Sequence, residues 1–258
     1  MSLDPLLALA GVADWLDAAR ESVDAALRHR ALRRSGGALA REAALRSAVA
    51  SAALEGHRYE VEEVRAGTVT DPVVQGALRV SVALDGMVGR WTTAPRQVLA
   101  RLHVLAARGC AGISEAELGR PTGPSEVAAR LDLLADTVVG PHGRVPVLLR
   151  AAVVHGELLA LRPFAGPNGV VARAAARLTM MAGGLDPRGL LAVEIGHLER
   201  EPEYVGSANA FRTGTPDGLR SWFAHCARAV ESAAAELSRL ADAMLTGERG
   251  RANELRVD

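Results

Sequence analysis

The chain has 258 residues, of which 49% are hydrophobic and only 3% aromatic, and this length is enough for one large domain or two small ones with a buried core. Its 30 basic residues balance its 30 acidic residues, which excludes the strongly basic field of nucleic-acid-binding proteins and of proteins held on anionic membranes. Every basic residue is an arginine, so the lysines of P-loops and of Schiff-base enzymes are also excluded.

The composition and the spacing of apolar residues predict an all-α protein, because Ala, Leu, Arg and Glu are strong helix formers. In the first half of the chain, helices are predicted at residues 12–32, 39–55, 60–65, 72–91 and 95–108. Ser35-Gly36-Gly37 separates the first two helices. Residues 1–36 are therefore predicted to form an N-terminal helical extension.

Residues 109–123 form the longest predicted break, which is rich in Gly and Pro and lacks the alternation of a strand. In the second half, helices are predicted at residues 125–139, 145–161, 169–182 and 216–244. The main helical domain is predicted to span residues 37–235. Residues 236–258 are predicted to contain the end of the C-terminal helix and a charged tail, irregular from residue 247 onward.

Neither the cysteines nor the N-terminus indicates an extracytoplasmic protein. Cys110 and Cys226 are too few for a disulfide framework, and no zinc-ligand spacing surrounds them. The N-terminus carries Asp4 and no basic region before its apolar stretch, unlike a signal peptide. The longest apolar run, residues 145–161, is interrupted by three polar side chains and predicts no membrane span. We therefore expect a cytoplasmic protein.

The stretch from His155 to Arg173 contains the most informative motif. An apolar helical pattern runs from His155 to Arg162, a tight turn follows at residues 166–169, and a second helix carries Arg173. Asn168 is a favourable N-cap residue, and it would leave the first N–H groups of that helix pointing outward with the positive end of the helix dipole behind them. The turn is therefore predicted to bind a phosphate.

This stretch resembles the signature of the Fic (Fido) family, H-P-F-x-[D/E]-G-N-G-R-x-x-R. The matching residues are Pro163, Phe164, Asn168, Gly169 and Arg173, together with His155 upstream. The resemblance implies an all-helical fold and, in the usual family reaction, transfer of AMP from ATP to a protein hydroxyl.

The sequence departs from the signature at the positions that carry the family's chemistry. Arg162 stands at the catalytic His, Gly166 at the metal-binding acid, Pro167 at the first loop Gly and Val170 at the first motif Arg. A guanidinium, with a pKa above about 12, cannot accept a proton near neutral pH, and glycine offers no carboxylate to Mg²⁺. Pro167 also removes one backbone N–H from the phosphate cradle. We therefore expect no intact catalytic residue and no metal site.

A second motif, Ser51-Ala52-Ala53-Leu54-Glu55-Gly56, resembles the [S/T]-x-x-x-E-[G/N] pattern of an inhibitory helix in one class of Fic proteins. In that class the Glu pairs with the second Arg of the signature and keeps the γ-phosphate of ATP from seating productively. The resemblance implies that the helix at residues 39–55 is inhibitory, through Ser51, Glu55 and Gly56, and that Glu55 pairs with Arg173.

Fic proteins also hold their target peptide with a β-hairpin flap. No strand pattern occurs between residues 109 and 121, so the flap is predicted to be shortened or missing.

Three functions are compatible with these motifs. The first is a degenerate Fic-domain pseudoenzyme that keeps a regulatory or anion-binding role. The second is an active transferase with a different base, for which His155, His57 and Glu157 are candidates. Of these, His155 lies about 10 Å before Arg162 along the helix, too far for direct proton transfer. The third is a structural helical interaction protein.

The predicted ligand is an anion without a metal, because an acid has been replaced by Gly166 while Arg162 adds a positive charge. The candidates for anion or nucleotide binding are Arg162, Asn168, Gly169, Arg173 and Arg177. No cofactor is predicted, and the expected ligand is phosphate or ATP without Mg²⁺. The expected partners are an unidentified protein and a second copy of the chain, and neither nucleic acid nor a membrane is expected.

Overall fold

The computed structural model describes residues 3–140 and 143–254 of the chain. Over these residues it contains helices, turns and no strand, which confirms the predicted all-α fold. The helices are α1 (Asp4–Leu7), α2 (Val12–Leu27), α3 (Leu32–Ala53), α4 (Val61–Arg65), α5 (Pro72–Ala83), α6 (Val88–Trp91), α7 (Pro95–Ala107), α8 (Ser125–Val139), α9 (Val147–Leu161), α10 (Asn168–Ala182), α11 (Val193–Glu199), α12 (Glu201–Phe211) and α13 (Pro216–Glu254).

Helices α9 and α10 pack against each other at the centre of the molecule, and each contributes to two apolar cores. The first core lies between α2, α9, α12 and α13 and includes Trp222 and Phe223. The second lies between α5, α7, α8 and the other faces of α9 and α10, and includes Trp91 and Leu102. All four side chains are fully buried. Burying one large apolar side chain stabilises the folded state by roughly 1.5–3 kcal/mol. The two cores together fix the loop between α9 and α10.

Helix α3 begins earlier than predicted and runs through the glycine pair. The predicted first helix ended at residue 32 and the second began at residue 39, but α2 ends at Leu27 and α3 spans Leu32–Ala53. The prediction was wrong because the apolar spacing continues across the glycines: Leu32, Leu39 and Ala43 are all buried on one face. The expected boundary between residues 36 and 37 lies inside this continuous helix.

Two further helices differ from their predictions. The helix predicted at residues 72–91 is interrupted, because Leu84 turns into the core and a 3₁₀ turn at Asp85–Met87 separates α5 from α6. Helix α13 continues to Glu254, where an irregular tail was predicted from residue 247. No proline follows Pro216 to stop that helix, and residues 255–258 of the predicted tail lie outside the described residues. In the described part of the chain, no helix is both long and apolar enough to cross a membrane.

Candidate functional site

Arg162 ends α9 in a left-handed backbone conformation, with φ 45° and ψ 58°, and its N–H donates to the carbonyl oxygen of Leu158 at 3.0 Å. Within residues 3–140 and 143–254 it is the only non-glycine residue with a positive φ. This conformation is unfavourable for a residue with a side chain, by about 1–2 kcal/mol. The side chain is exposed, so the guanidinium lies in solvent.

Asn168 does not cap α10, contrary to the prediction. Helix α10 begins at Asn168 itself and Pro167 occupies the N-cap position. The Asn168 side chain is buried and holds the turn together: its Oδ1 accepts from the N–H of Phe164 at 3.0 Å, and its Nδ2 donates to the carbonyl oxygens of Phe164 and Gly166 at 2.6 and 3.1 Å. Asn168 therefore shapes the loop and has no donor left for a ligand.

His103 fixes the same loop from the other side. Its ring stacks on Phe164 with centroids 4.6 Å apart, and its Nδ1 accepts from the N–H of Gly119 at 2.9 Å. The remaining proton must then be on Nε2, which lies 2.7 Å from the carbonyl oxygen of Ala165 and donates to it. Burial lowers the pKa of His103, which is consistent with this neutral tautomer. His103 is therefore a structural clamp between the loop and the segment at residues 109–124.

Gly166, at the position of the family's metal-binding acid, lies against the side chain of Ile113. Its φ is +82°, and a Cβ atom there would overlap Cδ1 of Ile113. The sequence predicted Gly166 as a lost metal ligand, but it gave no sign that Ile113 would fill the space. Among the described residues, no group of three or more His, Cys, Asp or Glu side chains is arranged to hold a metal ion. The residues at this position therefore do not fit the Mg²⁺ that the resemblance implies.

The predicted contact between Glu55 and Arg173 is present. Arg173 Nη2 donates to Glu55 Oε1 at 2.8 Å and to the carbonyl oxygen of Ser51 at 2.8 Å. Its Nε donates to Ser51 Oγ at 2.9 Å and its Nη1 to the hydroxyl of Tyr204 at 3.2 Å. Arg173 is only 2% exposed, so burial alone would lower its pKa, but Tyr204 and Glu55 raise the pKa above its ordinary value. The guanidinium is charged, and each of its three nitrogens has an acceptor.

The Glu55 carboxylate also covers the first turn of α10. A Cβ atom on Gly169 would overlap Glu55 Oε1, so the carboxylate lies directly against the backbone there. The first N–H groups of a helix have no intrahelical acceptor and carry the positive end of its dipole. Glu55 thus lies beside the end of α10 whose dipole favours an anion.

Comparisons with known proteins bear on the fold of the chain. No family model matches the sequence, and no curated protein matches it. Several solved structures do match. A Fic family protein from Desulfovibrio desulfuricans G20 is 20% identical with a TM-score of 0.70, over 86% of this chain and 73% of that chain. A fragment of Fic-1 from C. elegans is 20% identical with a TM-score of 0.71, over 95% of this chain and 76% of that chain.

A glutamate-to-glycine variant of the same C. elegans fragment is 19% identical with a TM-score of 0.66, over 91% of this chain and 73% of that chain. The chain has the Fic fold. At this level of identity the likeness covers the fold and does not extend to activity.

In this Fic fold, Arg177 lies away from the loop although it was predicted beside Arg173 as an anion-binding residue. Its Nη1 donates to Ser47 Oγ at 2.7 Å and to Ser81 Oγ at 3.3 Å, and its Nη2 donates to the carbonyl oxygen of Gly189 at 3.2 Å. The partners of Arg177 come from α3, α5 and the turn after α10, which the spacing of residues along α10 does not reveal.

The loop between α9 and α10, residues 162–167, is called the Fic loop from here on. A cavity of about 530 Å³ lies beside it. It is lined by Glu55, His57, Pro72, Val73, Cys110, Ala111, Gly112, Ile113, Ala165, Gly166 and Pro167. Arg162 is not among them, so its charge does not enter this cavity as the sequence suggested. Burial raises the pKa of the Cys110 thiol, which therefore stays protonated near neutral pH.

His57 lines this cavity and is held by Asp71. His57 Nδ1 lies 2.8 Å from Asp71 Oδ2, and Asp71 Oδ1 accepts from the N–H groups of Val73 and Val74 at 2.9 and 3.1 Å as the N-cap of α5. Burial alone would raise the pKa of Asp71, but the hydrogen bonds from His57, Val74 and Val73 lower it below its usual value. A charged Asp71 therefore orients the imidazole.

The other two candidate bases do not reach the cavity. His155 is buried, and its Nε2 lies 2.9 Å from the Tyr204 hydroxyl. Because that hydroxyl accepts from Arg173, it donates its own proton to His155. Burial first, and then the charge of Arg173, hold the pKa of His155 well below its ordinary value. Glu157 forms an ion pair with Arg130 of α8.

Proposed function

We propose that this protein is a degenerate Fic-domain protein that has lost AMP transfer to protein hydroxyls and retains an anion-binding loop closed by Glu55. The loss of transfer is supported by two positions. Arg162 is an exposed guanidinium and cannot serve as a base, and Gly166 offers no carboxylate to a metal ion.

The observation that carries the retained anion site is the position of the Glu55 carboxylate. It binds Arg173 Nη2 at 2.8 Å and lies against Gly169 at the positive end of α10, so it occupies both elements that would hold a phosphate. An incoming anion would have to displace it, because two negative charges repel each other at so short a distance. The site is therefore closed by an internal carboxylate, and the fold around Arg173 remains intact.

A second candidate function is favoured by His57. His57 lines the cavity beside the loop and contacts the Asp71 carboxylate, as a general base oriented by a carboxylate does. In that case the chain would be an active transferase whose base comes from the segment after α3 instead of from the Fic loop.

One set of variants tests both candidates. Calorimetry with inorganic phosphate and with ADP, at low salt and without metal, should show at least tenfold tighter binding for Glu55→Gly than for the unaltered protein. Glu115→Gln, which removes an exposed carboxylate from the segment at residues 109–124, should leave the affinity unchanged. If neither anion binds Glu55→Gly, the loop does not retain an anion site.

The same proteins should then be incubated with labelled ATP, Mg²⁺ and cell lysate, and no protein should become labelled, even with Glu55→Gly. Labelling that requires Mg²⁺, survives Arg162→Ala and disappears in His57→Gln would replace the pseudoenzyme with the second candidate.

A further inference from the structure

A second cavity, of about 410 Å³, lies between α3, α5 and the end of α10. It shares no lining residue with the cavity at the loop. Its volume is within the range of small-molecule sites, roughly 300–1,000 Å³. It is therefore a separate place where the protein could hold a ligand.

The lining of this cavity combines apolar side chains with an excess of positive charge. Leu45, Leu78, Val82 and Met181 form the apolar part of the wall. The charged lining residues are Arg41, Arg177, Arg188 and Asp85, which gives three positive charges against one negative charge. Among the described side chains, neither Arg41 nor Arg188 forms an ion pair, but the carboxylate of Asp186, which does not line the cavity, interacts electrostatically with Arg177 and Arg188. Such a lining suits a ligand with an anionic head and an apolar chain.

Arg177 supplies the buried charge at this cavity and is incompletely paired. It is 5% exposed, and within the described part of the chain its Nε has no hydrogen-bond partner. The carboxylate nearest to it, Glu194 Oε1, is 4.0 Å from Nη1, and Glu194 itself accepts a hydrogen bond from Ser47 Oγ. A buried N–H without an acceptor is unfavourable, and a guanidinium binds a carboxylate best through two parallel hydrogen bonds.

A small void of about 10 Å³, also lined by Arg177, has room for no more than one water molecule. The larger cavity is the one with room for the head of a ligand beside this arginine. Val82, which lines the cavity, is 79% exposed and places apolar surface at its mouth.

We propose that this cavity binds a small monoanionic amphiphile, with a carboxylate head at Arg177, Arg41 and Arg188 and an aliphatic chain along Leu78 and Val82. The head completes the pairing of Arg177, and the chain covers the apolar wall that α3 and α5 leave open to solvent. This site does not depend on the Fic loop or on Glu55.

The test uses the full chain and sodium decanoate below its micelle concentration, followed by calorimetry at low salt. Decanoate should bind saturably at one site. Val82→Asp, which places a negative charge at an exposed position and leaves the core untouched, should weaken binding at least tenfold. Arg188→Gln should weaken it at least threefold, and Arg212→Gln, the removal of an exposed arginine outside the cavity, should have no effect.

Any of the following results would overturn the proposal. Decanoate could fail to bind, decyltrimethylammonium could bind as tightly as decanoate, or Val82→Asp and Arg212→Gln could behave alike. Sedimentation velocity identifies the alternative occupant: a dimer that Val82→Asp separates, in a protein that does not bind decanoate, would make this face an interface between copies of the chain. Binding of inorganic phosphate as tight as that of decanoate would also contradict a role for the apolar wall.

Discussion

Two arginines one turn apart on α10, Arg173 and Arg177, have opposite kinds of surroundings. Both are nearly fully buried and both bind the same face of α3, where Ser47, Ser51 and Glu55 follow at intervals of four residues. Arg173 meets a carboxylate at 2.8 Å, and each of its three nitrogens has an acceptor. Arg177 has a carboxylate only at 4.0 Å and an unpaired Nε.

Two arginines on the same helix therefore differ in their hydrogen-bond acceptors: every nitrogen of Arg173 has one, whereas Nε of Arg177 has none among the described residues. At Arg173, Glu55 lies just beyond the last turn of α3 and can reach the charge. At Arg177, the α3 residue in register is Ser47, whose hydroxyl is a neutral acceptor, and Glu194 is engaged by that serine. We therefore expect a closed site at Arg173 and an open one at Arg177.

The largest expected effect is on the pH dependence of stability, because buried neutral histidines lie on the Arg173 side. Burial is the main cause that holds the pKa values of His155 and His197 well below the ordinary value of 6.5. The unfolded chain therefore binds more protons than the folded one, and stability is lost as pH falls below 6.5. Below pH 6.5, each of these histidines should lower the free energy of unfolding by about 1.4 kcal/mol per pH unit, which amounts to about 2 kcal/mol at pH 5.

Urea unfolding at pH 7 and pH 5 measures this loss, and His197→Gln should reduce it by about 2 kcal/mol, the contribution of that one histidine. Carboxylates whose pKa is lowered, such as Glu203 and Asp71, lose their contribution only at lower pH, because their unfolded-state values lie near 4. A free energy of unfolding that is the same at pH 7 and pH 5 would contradict the assignment of neutral buried histidines.

The second prediction compares the two arginines directly by double-mutant cycles. The coupling between Arg173 and Glu55, from Arg173→Met, Glu55→Gln and the double variant, should be about 2 kcal/mol. The corresponding coupling between Arg177 and Glu194 should be below about 1 kcal/mol, because their atoms lie beyond hydrogen-bond distance. Free energies of urea unfolding provide both values. Equal couplings would remove the distinction between a completed and an incomplete guanidinium.

Sequence reasoning predicted the helical architecture and the contact between Glu55 and Arg173, because both depend on local periodicity and on motifs whose order along the chain resembles the Fic family. It did not predict what Asn168 and Arg177 do. Asn168 binds backbone groups of the preceding turn, because the N-cap of α10 is Pro167 and not Asn168. The direction of Arg177 depends on serines from two distant helices.

Ile113 and His57 show the same limit at the cavity beside the loop. Ile113 belongs to an irregular segment, which has no periodicity from which its direction could be read, yet it fills the space above Gly166. His57 could be named as a candidate base, but its partner Asp71 is fourteen residues away and reaches it only because the chain turns between α3 and α5.

The smallest expected effect concerns Arg162, which stands at the catalytic position of the signature but lies outside both arginine sites. Because its φ is 45°, replacing it with glycine relieves an unfavourable left-handed conformation, although glycine also gains freedom in the unfolded chain. We expect Arg162→Gly to stabilise the protein by about 0.5 kcal/mol and to change phosphate binding less than twofold. Arg212→Gly is the matched control: Arg212 is exposed with φ −59°, so glycine should destabilise there. If Arg162→Gly destabilises as much as Arg212→Gly, or lowers phosphate affinity in the Glu55→Gly background, then the guanidinium of Arg162 has a partner in solution and belongs to the loop site.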